Sequence, residues 1–139
     1  MNAYFDSSVV LRSILNEPLA IDNWSQWELV IASELMRVEV FRAIDRLRVI
    51  GRLTDAQVPD MIQSASRLVT SIEEIEIYPA VLRRAASPFA SVVGTLDAIH
   101  ISTALLWVSD KADPLVFVTH DVQQSVAARL AGLDVQTAP

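Results

Sequence analysis

Four separate carboxylates are the residues of this chain whose types and spacing could do chemistry. Asp6 follows a short β-prone run, Asp97 lies in the first turn of a predicted helix, and Asp121 follows the strongly apolar run Leu115–Val118. Glu39 lies inside a long predicted helix, at the edge of its apolar stripe. In α/β folds, ligands bind beyond the carboxyl ends of the parallel strands, and the sequence places all four acids at that edge.

Each carboxylate also has a simpler structural explanation. Asp6 and Asp121 stand where side chains cap helices, and an acid in a first helical turn, such as Asp97, is favoured by the helix dipole. Glu39 could pair with Arg42, three residues later, for about 0.2–0.5 kcal/mol. A partly buried carboxylate is costly unless it is paired or binds a metal, so Glu39 is the hardest of the four to explain structurally.

Together, the four acids predict a metal site. Neighbouring carboxylates raise one another's pKa values unless a cation is present. Oxygen ligands without cysteine or paired histidine favour Mg²⁺, with Mn²⁺ as a substitute, over zinc, and the chain has no cysteine and two histidines. Such ions activate water and stabilise the leaving oxygen in phosphoryl chemistry. Asp6, Glu39, Asp97 and Asp121 are therefore the candidate catalytic and metal-binding residues.

Strands and helices alternate in the elements that must position these acids. Strands are predicted at 2–5, 29–32, 72–78, 115–118 and 133–135, and helices at 7–15, 19–28, 34–50, 54–69, 79–86, 96–108 and 122–131. Ser33 is predicted to cap the helix 34–50 and to support the site, and Thr95 to cap the helix 96–108. This alternation predicts an α/β fold: a three-layer, Rossmann-type sandwich with a mostly parallel central sheet, in one domain over residues 1–139.

The composition excludes several other classes of protein. With 139 residues, 52% of them hydrophobic and 20% charged, the chain can bury one core. The absence of cysteine excludes a disulfide scaffold, and three glycines are too few for a glycine-rich phosphate loop. The sequence has no run of about 20 apolar residues and no secretory signal, so we expect a cytoplasmic protein without a membrane partner.

Charge is unevenly distributed along the chain. The net charge of −6 argues against a general nucleic-acid-binding surface. Between residues 37 and 52, however, five arginines stand against two acids, which makes one helix locally basic. Arg42 and Arg46, close to Glu39, are candidate contacts for phosphates; alternatively they neutralise acidic neighbours or form a solvated face.

The same helix has a second apolar set on the side away from its main stripe. Its members are Val38, Phe41 and Val49, and two tryptophans, Trp24 and Trp27, precede it in the chain. A helix that is apolar on two sides either docks a partner or is buried twice. The sequence thus predicts a partner surface here, with additional core packing as the alternative.

Four segments resemble the PIN-domain ribonucleases. They are Tyr4–Ser8, Ser33–Leu35 with Glu39 six residues after the serine, Leu96–His100 and Val118–Asp121. Their order and spacing over the whole chain are similar to the VapC toxins of bacterial toxin–antitoxin modules. The resemblance implies that Asp6, Glu39, Asp97 and Asp121 form the family's acidic quartet. Asp6 and Asp97 match its best-attested magnesium ligands, and Thr119 matches the hydroxyl residue that supports the last aspartate.

The resemblance also implies a function. It indicates a magnesium-dependent endoribonuclease of PIN-like fold, a homodimer, and inhibition by a cognate VapB antitoxin whose tail occupies the site. Structured RNA such as tRNA or rRNA is the expected substrate, with Arg42 and Arg46 as candidate RNA contacts. Gly94 departs from the pattern, because relatives often carry a basic residue there, and one RNA contact is therefore missing.

Other interpretations remain for individual residues and for the whole chain. His100, three residues after Asp97, could form a metal pair with it or only pack nearby, and His120 is a weak candidate for a general base. A receiver domain does not fit, since Asp6 has no acidic neighbour and the only lysine is Lys111. An inactive PIN-like protein that acts by binding a partner is the alternative function.

Overall fold

Strands and helices alternate along the chain. The computed structural model describes residues 1–18, 20 and 23–137. The strands are β1 (Asn2–Phe5), β2 (Leu29–Ser33), β3 (Glu73–Ile75), β4 (Leu115–Thr119) and β5 (Asp134–Thr137). The helices are α1 (Ser7–Ile14), α2 (Leu35–Val49), α3 (Val58–Thr70), α4 (Pro79–Ala85), α5 (Thr95–Lys111) and α6 (Val122–Leu130), and Trp24–Gln26 forms a short 3-10 helix. No helix in these described ranges is long and apolar enough to cross a membrane.

The five strands form one sheet in the order β3-β2-β1-β4-β5, and every neighbouring pair is parallel. The predicted α/β architecture is therefore confirmed. The chain builds the sheet outward from β1 to β3 on one side and then adds β4 and β5 on the other. The order thus reverses between β1 and β4, and such a switch point is where open α/β sheets bind ligands.

Apolar side chains pack on both faces of the sheet, as expected for buried parallel strands. On one face, Tyr4 stacks on Phe117 with ring centroids 5.1 Å apart, and Ile101 and Trp107 of α5 join the same cluster. On the other face, Met36, Val40 and Ile44 of α2 pack with Val10 of α1 and with Ala65 and Val69 of α3. Met36, Val40 and Ile44, which belong to the predicted apolar stripe of α2, are thus buried. Ile50, just past the end of the helix, is exposed.

The second apolar set of α2 is divided between core and surface. Phe41, Trp24 and Trp27 pack against buried clusters, and the rings of Trp24 and Phe5 meet edge to face at 4.8 Å. Val38 and Val49 are exposed. Of the predicted partner surface, these two valines are exposed, whereas the aromatic members are partly buried against the core.

Several predicted elements differ in extent from the structure. The predicted helix 19–28 forms only the 3-10 helix Trp24–Gln26 where it is described, because Trp27 is already extended; residues 19, 21 and 22 lie outside the described part. The predicted strand 72–78 ends at Ile75, because the Ile77 amide donates to Glu34 Oε1 (2.7 Å) and not to a neighbouring strand.

The third difference concerns where helices begin and end. Thr54 and Gln57 form a separate turn, in which each side chain accepts from the other's amide, so α3 begins at Val58 and not at the predicted 54. Gly94, not Thr95, occupies the cap position of α5, and the helix continues past Val108 to Lys111. Ala112 ends it in a left-handed conformation with φ +56°.

Candidate functional site

The four predicted carboxylates lie where β1, β2 and β4 end. Asp6 follows β1 directly, Asp121 precedes α6, Asp97 lies in the first turn of α5, and Glu39 lies in α2. The Asp6 amide donates to the carbonyl of Val118 (3.1 Å), which extends the pairing of β1 with β4 by one residue. The parallel register therefore determines the position of Asp6 beside the end of β4.

Asp6 is almost fully buried and uses both carboxylate oxygens. Oδ2 caps α1 by accepting from the Ser8 amide (3.1 Å), and it also accepts from Thr119 Oγ1 (3.3 Å). Oδ1 accepts from Gln124 Nε2 (3.2 Å). Oδ2 of Asp6 therefore serves as the helix cap, and Oδ1 is the oxygen that is left for the predicted metal site.

Thr119 links Asp6 to Asp121. Its Oγ1 donates to Asp6 and accepts from the Asp121 amide (3.0 Å). Asp121 is exposed and caps α6, with Oδ1 accepting from the Gln124 amide (2.8 Å). The second oxygen of Asp121 is thus available to the crevice.

A chain of hydrogen bonds from β1 holds Glu39. The fully buried ring of His100 bonds Glu39 Oε1 through Nε2 (2.5 Å) and the Tyr4 hydroxyl through Nδ1 (2.7 Å). The Tyr4 oxygen also accepts from the Ser33 amide (3.1 Å), and the imidazole donates from Nε2 to the Glu39 carboxylate. Burial raises the pKa of Tyr4 well above its usual value, so its hydroxyl stays protonated.

His100 therefore contacts Glu39, and not Asp97, by a hydrogen bond. Burial lowers the pKa of His100, but the hydrogen bond to Glu39 and the charges of Asp6 and Glu39 outweigh it, so the pKa is raised overall. The alternative ion pair between Glu39 and Arg42 is not formed, because Arg42 Nη1 binds Asp45 (3.0 Å). Ser33, at the end of β2, accepts from the Leu35 amide (3.2 Å) and so holds the start of α2.

Asp97 shows that the crevice carries excess negative charge. Its pKa is raised to about 6, first by burial and then by the charges of Asp6 and Asp121, with a smaller contribution from Glu39. The four carboxylates are therefore close enough to affect one another. A bound cation would remove this repulsion.

Two residues of this arrangement have no role in the sequence analysis: Tyr4 and Gln124. Gln124 is fully buried, and its Nε2 donates to both Asp6 Oδ1 and Asp97 Oδ1, at 3.2 Å each. A glutamine three residues after a capping aspartate is a capping-box signal, in which the side chain reaches back to the cap amide. Here Thr119 already accepts from that amide, so the Gln124 side chain reaches the carboxylates.

The donor set fits a hard divalent cation, although its members do not yet converge. Among the described residues, no three His, Cys, Asp or Glu side chains form a group that could hold a metal ion. All four candidate donors are carboxylates, which suit Mg²⁺, and Asp121 is the exposed one among these four. Gln124 Oε1 is buried and has no hydrogen-bond partner within the same ranges, so the crevice also offers an unused acceptor.

A groove of about 530 Å³ leads from Glu39 between α1 and α2, with Arg42 and Arg46 in its wall. Asp45 pairs with Arg42 and Arg48, whereas Arg46 has no ion pair in the part of the chain that the structure describes. His120 makes no hydrogen bond to the four carboxylates there, and burial and Arg12 lower its pKa. Of the two arginines in the groove wall, Arg46 is thus the one without an ion pair among the described residues.

Comparisons with known proteins agree with this architecture. A family model described as PIN domain matches residues 3–130. A toxin–antitoxin complex from Klebsiella pneumoniae has a similar chain (17% identity, TM-score 0.69), which covers 99% of this chain and 98% of its own. A chain of VapBC2 from Rickettsia felis, bound to a promoter DNA fragment, has the same coverage at 10% identity and a TM-score of 0.71. VapBC-1 from nontypeable Haemophilus influenzae is similar at 15% identity, with a TM-score of 0.65 and coverage of 99% and 98%. A comparison with curated protein sequences finds no match.

Proposed function

Because the chain belongs to the PIN domain family, we propose that it is a VapC-type toxin that hydrolyses RNA phosphodiester bonds as a magnesium-dependent endoribonuclease. PIN domains are generally nucleases that depend on divalent metal ions. In this proposal, residues 1–139 form one PIN domain, and Asp6, Glu39, Asp97 and Asp121 hold Mg²⁺, which Mn²⁺ replaces. The observation that carries it is the placement of the acids: Gln124 Nε2 lies 3.2 Å from both Asp6 Oδ1 and Asp97 Oδ1, and Thr119 Oγ1 joins Asp6 to the Asp121 amide.

The chain's own residues prepare the site in three ways. Ser8 and Thr119 hold Asp6 through Oδ2 and leave Oδ1 directed at the crevice. His100 and Tyr4 hold Glu39 against the sheet. A divalent ion held by these carboxylates would supply Lewis-acid chemistry: it would make a water molecule more acidic and would stabilise the leaving oxygen at phosphorus.

The groove beside Glu39 suits a strand of RNA in the same proposal. Arg46, which has no ion pair among the described residues, would bind a phosphate, and Arg42 would join it by exchanging Asp45 for RNA. A chain of net charge −6 repels RNA over most of its surface, so these contacts must be local. Structured RNA such as tRNA or rRNA is the proposed substrate.

The proposed partners are a cognate VapB-type antitoxin and a second copy of the chain. The relatives from Klebsiella pneumoniae, Rickettsia felis and Haemophilus influenzae are toxin–antitoxin assemblies. This chain exposes apolar side chains that a protein partner would cover, among them Val38, Val49, Leu82, Val92 and Leu96. The proposed location is the cytoplasm.

Cleavage of a labelled panel of structured RNAs tests this function. The wild type should cleave with Mg²⁺ and with Mn²⁺ but not with EDTA, and Asp97→Ala and Asp6→Ala should lose cleavage and stay folded. The matched control is Asp113→Ala. It removes an exposed carboxylate just before β4, at the opposite end of that strand from Asp121, and should leave cleavage unchanged. Equal cleavage by the wild type and both site variants would overturn the proposed function.

One observation favours the second candidate, a PIN-like protein that acts only by binding its partner. No three potential metal ligands are gathered within the described residues. This candidate predicts no metal-dependent cleavage by any variant and no heat released on titration with MnCl₂. Metal-dependent cleavage that is lost in Asp97→Ala would exclude it.

A further inference from the structure

Among the described residues, Gln124 is the only side chain that forms hydrogen bonds to both Asp6 and Asp97. It lies in the first turn of α6 and is fully buried. Its single amide nitrogen is 3.2 Å from Asp6 Oδ1 and 3.2 Å from Asp97 Oδ1. The amide nitrogen therefore lies between two carboxylate oxygens whose negative charges repel each other.

The charges around the amide determine its orientation. Nε2 carries two protons and no lone pair available for bonding, so it can donate one hydrogen bond to each carboxylate. The reverse orientation would place Oε1 against two carboxylate oxygens, lose both charge-assisted bonds and add repulsion. The cost of leaving Oε1 buried and unpaired is thus offset by the two bonds of Nε2.

Two hydrogen bonds from one nitrogen also fix which oxygens face each other. Asp6 is held at Oδ2 by Ser8 and Thr119, so its bond to Gln124 fixes Oδ1 as well. Asp97 accepts no other hydrogen bond among the described residues, so Gln124 alone orients it. Without the amide, repulsion would turn the half-exposed Asp97 side chain away from Asp6.

We propose that Gln124 is a positioning residue of the cation site, whose amide directs Asp6 Oδ1 and Asp97 Oδ1 to one point so that both bind the same divalent ion. This inference rests on the metal site of the proposed function. Each carboxylate oxygen has two lone pairs, so an oxygen that accepts from Gln124 can still bind a cation. Outer contacts of this kind orient metal ligands, and their loss costs about 10–100-fold in metal affinity.

Titration with MnCl₂, followed by calorimetry and by the electron paramagnetic resonance of free Mn²⁺, tests the inference without an activity assay. Gln124→Met keeps the length of the side chain and removes both donors. We expect it to weaken Mn²⁺ binding about 10–100-fold. Gln124→Asn keeps the amide but is one methylene too short to reach both carboxylates, and we expect a loss of the same kind.

The neighbouring glutamine provides the matched control. Gln123→Met changes an exposed side chain whose amide donates to the Val92 carbonyl (3.2 Å), and it should bind Mn²⁺ as the wild type does. Thermal unfolding in EDTA establishes that each variant is folded at the titration temperature. A merely structural role for Gln124 would lower that melting temperature and leave Mn²⁺ affinity unchanged.

The possible outcomes distinguish a failure of the inference about Gln124 from a failure of the proposed metal site. If the wild type binds Mn²⁺ and the folded Gln124 variants bind it equally well or more tightly, the inference about Gln124 is wrong and the metal site stands. If the wild type binds no Mn²⁺, the metal-dependent function fails, and the inference fails with it. If only the Gln124 variants lose affinity, both are supported.

Discussion

Replacing Asp97 by asparagine should stabilise the cation-free protein near neutral pH. The pKa of Asp97 in the folded state, about 6, lies above its ordinary value of 3.8 because burial and the charges of Asp6 and Asp121 disfavour the carboxylate. Between these two pH values the unfolded chain ionises first, so stability falls as the pH rises. The whole cost is present above about pH 6 and absent below about pH 4. Asparagine removes it and keeps an Oδ1 that can accept from Gln124.

The size of the effect follows from the shift in pKa. A difference of about two pKa units corresponds to about 3 kcal/mol if it is fully expressed. Asp97 is only about half buried, so solvent screening reduces the expected gain to about 1–1.5 kcal/mol. For a chain of this length, that gain raises the melting temperature by about 3–6 °C.

Urea unfolding in EDTA at pH 7.5 and at pH 4.5 measures this gain. The advantage of Asp97→Asn over the wild type should be present at pH 7.5 and should shrink at pH 4.5, where most wild-type Asp97 is protonated. Asp113→Asn, the matched removal of an exposed charge, should stay within about 0.5 kcal/mol of the wild type at both pH values. If Asp97→Asn were no more stable than the wild type at pH 7.5, the repulsion inferred for the crevice would be wrong.

Three further predictions concern the cation, the buried hydrogen bonds and the groove. Millimolar MgCl₂ should raise the melting temperature of the wild type and not that of Asp97→Asn, since an ion at 100 times its dissociation constant contributes about 2.7 kcal/mol. Tyr4→Phe should lower the free energy of unfolding by about 1–3 kcal/mol in urea, because the Ser33 amide and His100 Nδ1 lose their buried partner. Arg46→Gln should weaken RNA binding in a filter assay and reduce the slope of log affinity against log salt by about 0.7. An unchanged slope would show that Arg46 contacts no phosphate.

The fold was predictable because each strand and helix carries its own local signal. The apolar run Leu115–Val118 and the short run Asn2–Phe5 gave β4 and β1 almost to the residue, since such runs suit strands that are buried on both faces. The segment 19–28 was predicted as one short helix, but where the structure describes it only Trp24–Gln26 is helical. In the structure, the two tryptophan rings pack against the same buried cluster, Trp24 from a short 3-10 turn and Trp27 from an extended residue.

The contacts around the carboxylates could not be predicted in the same way. His100 meets Glu39 across 61 positions of sequence and Tyr4 across 96, and Gln124 meets Asp6 across 118. No local periodicity encodes such distances; only the order of the strands brings these residues together. The one local signal at Gln124 is a capping box, which predicts that its side chain contacts the Asp121 amide and not Asp6 or Asp97.

Helix capping and metal binding are therefore not competing explanations for these acids. Asp6 and Asp121 each use one oxygen to accept from a backbone amide at a helix start, which leaves the other oxygen for the crevice. Hydrogen bonds from backbone amides stabilise the charged form of a carboxylate in general. Asp97 has no backbone amide bonded to it among the described residues, and its pKa is raised by burial and then by the charges of Asp6 and Asp121. The same argument explains why a side-chain amide, that of Gln124, lies against Asp97 where the backbone provides none.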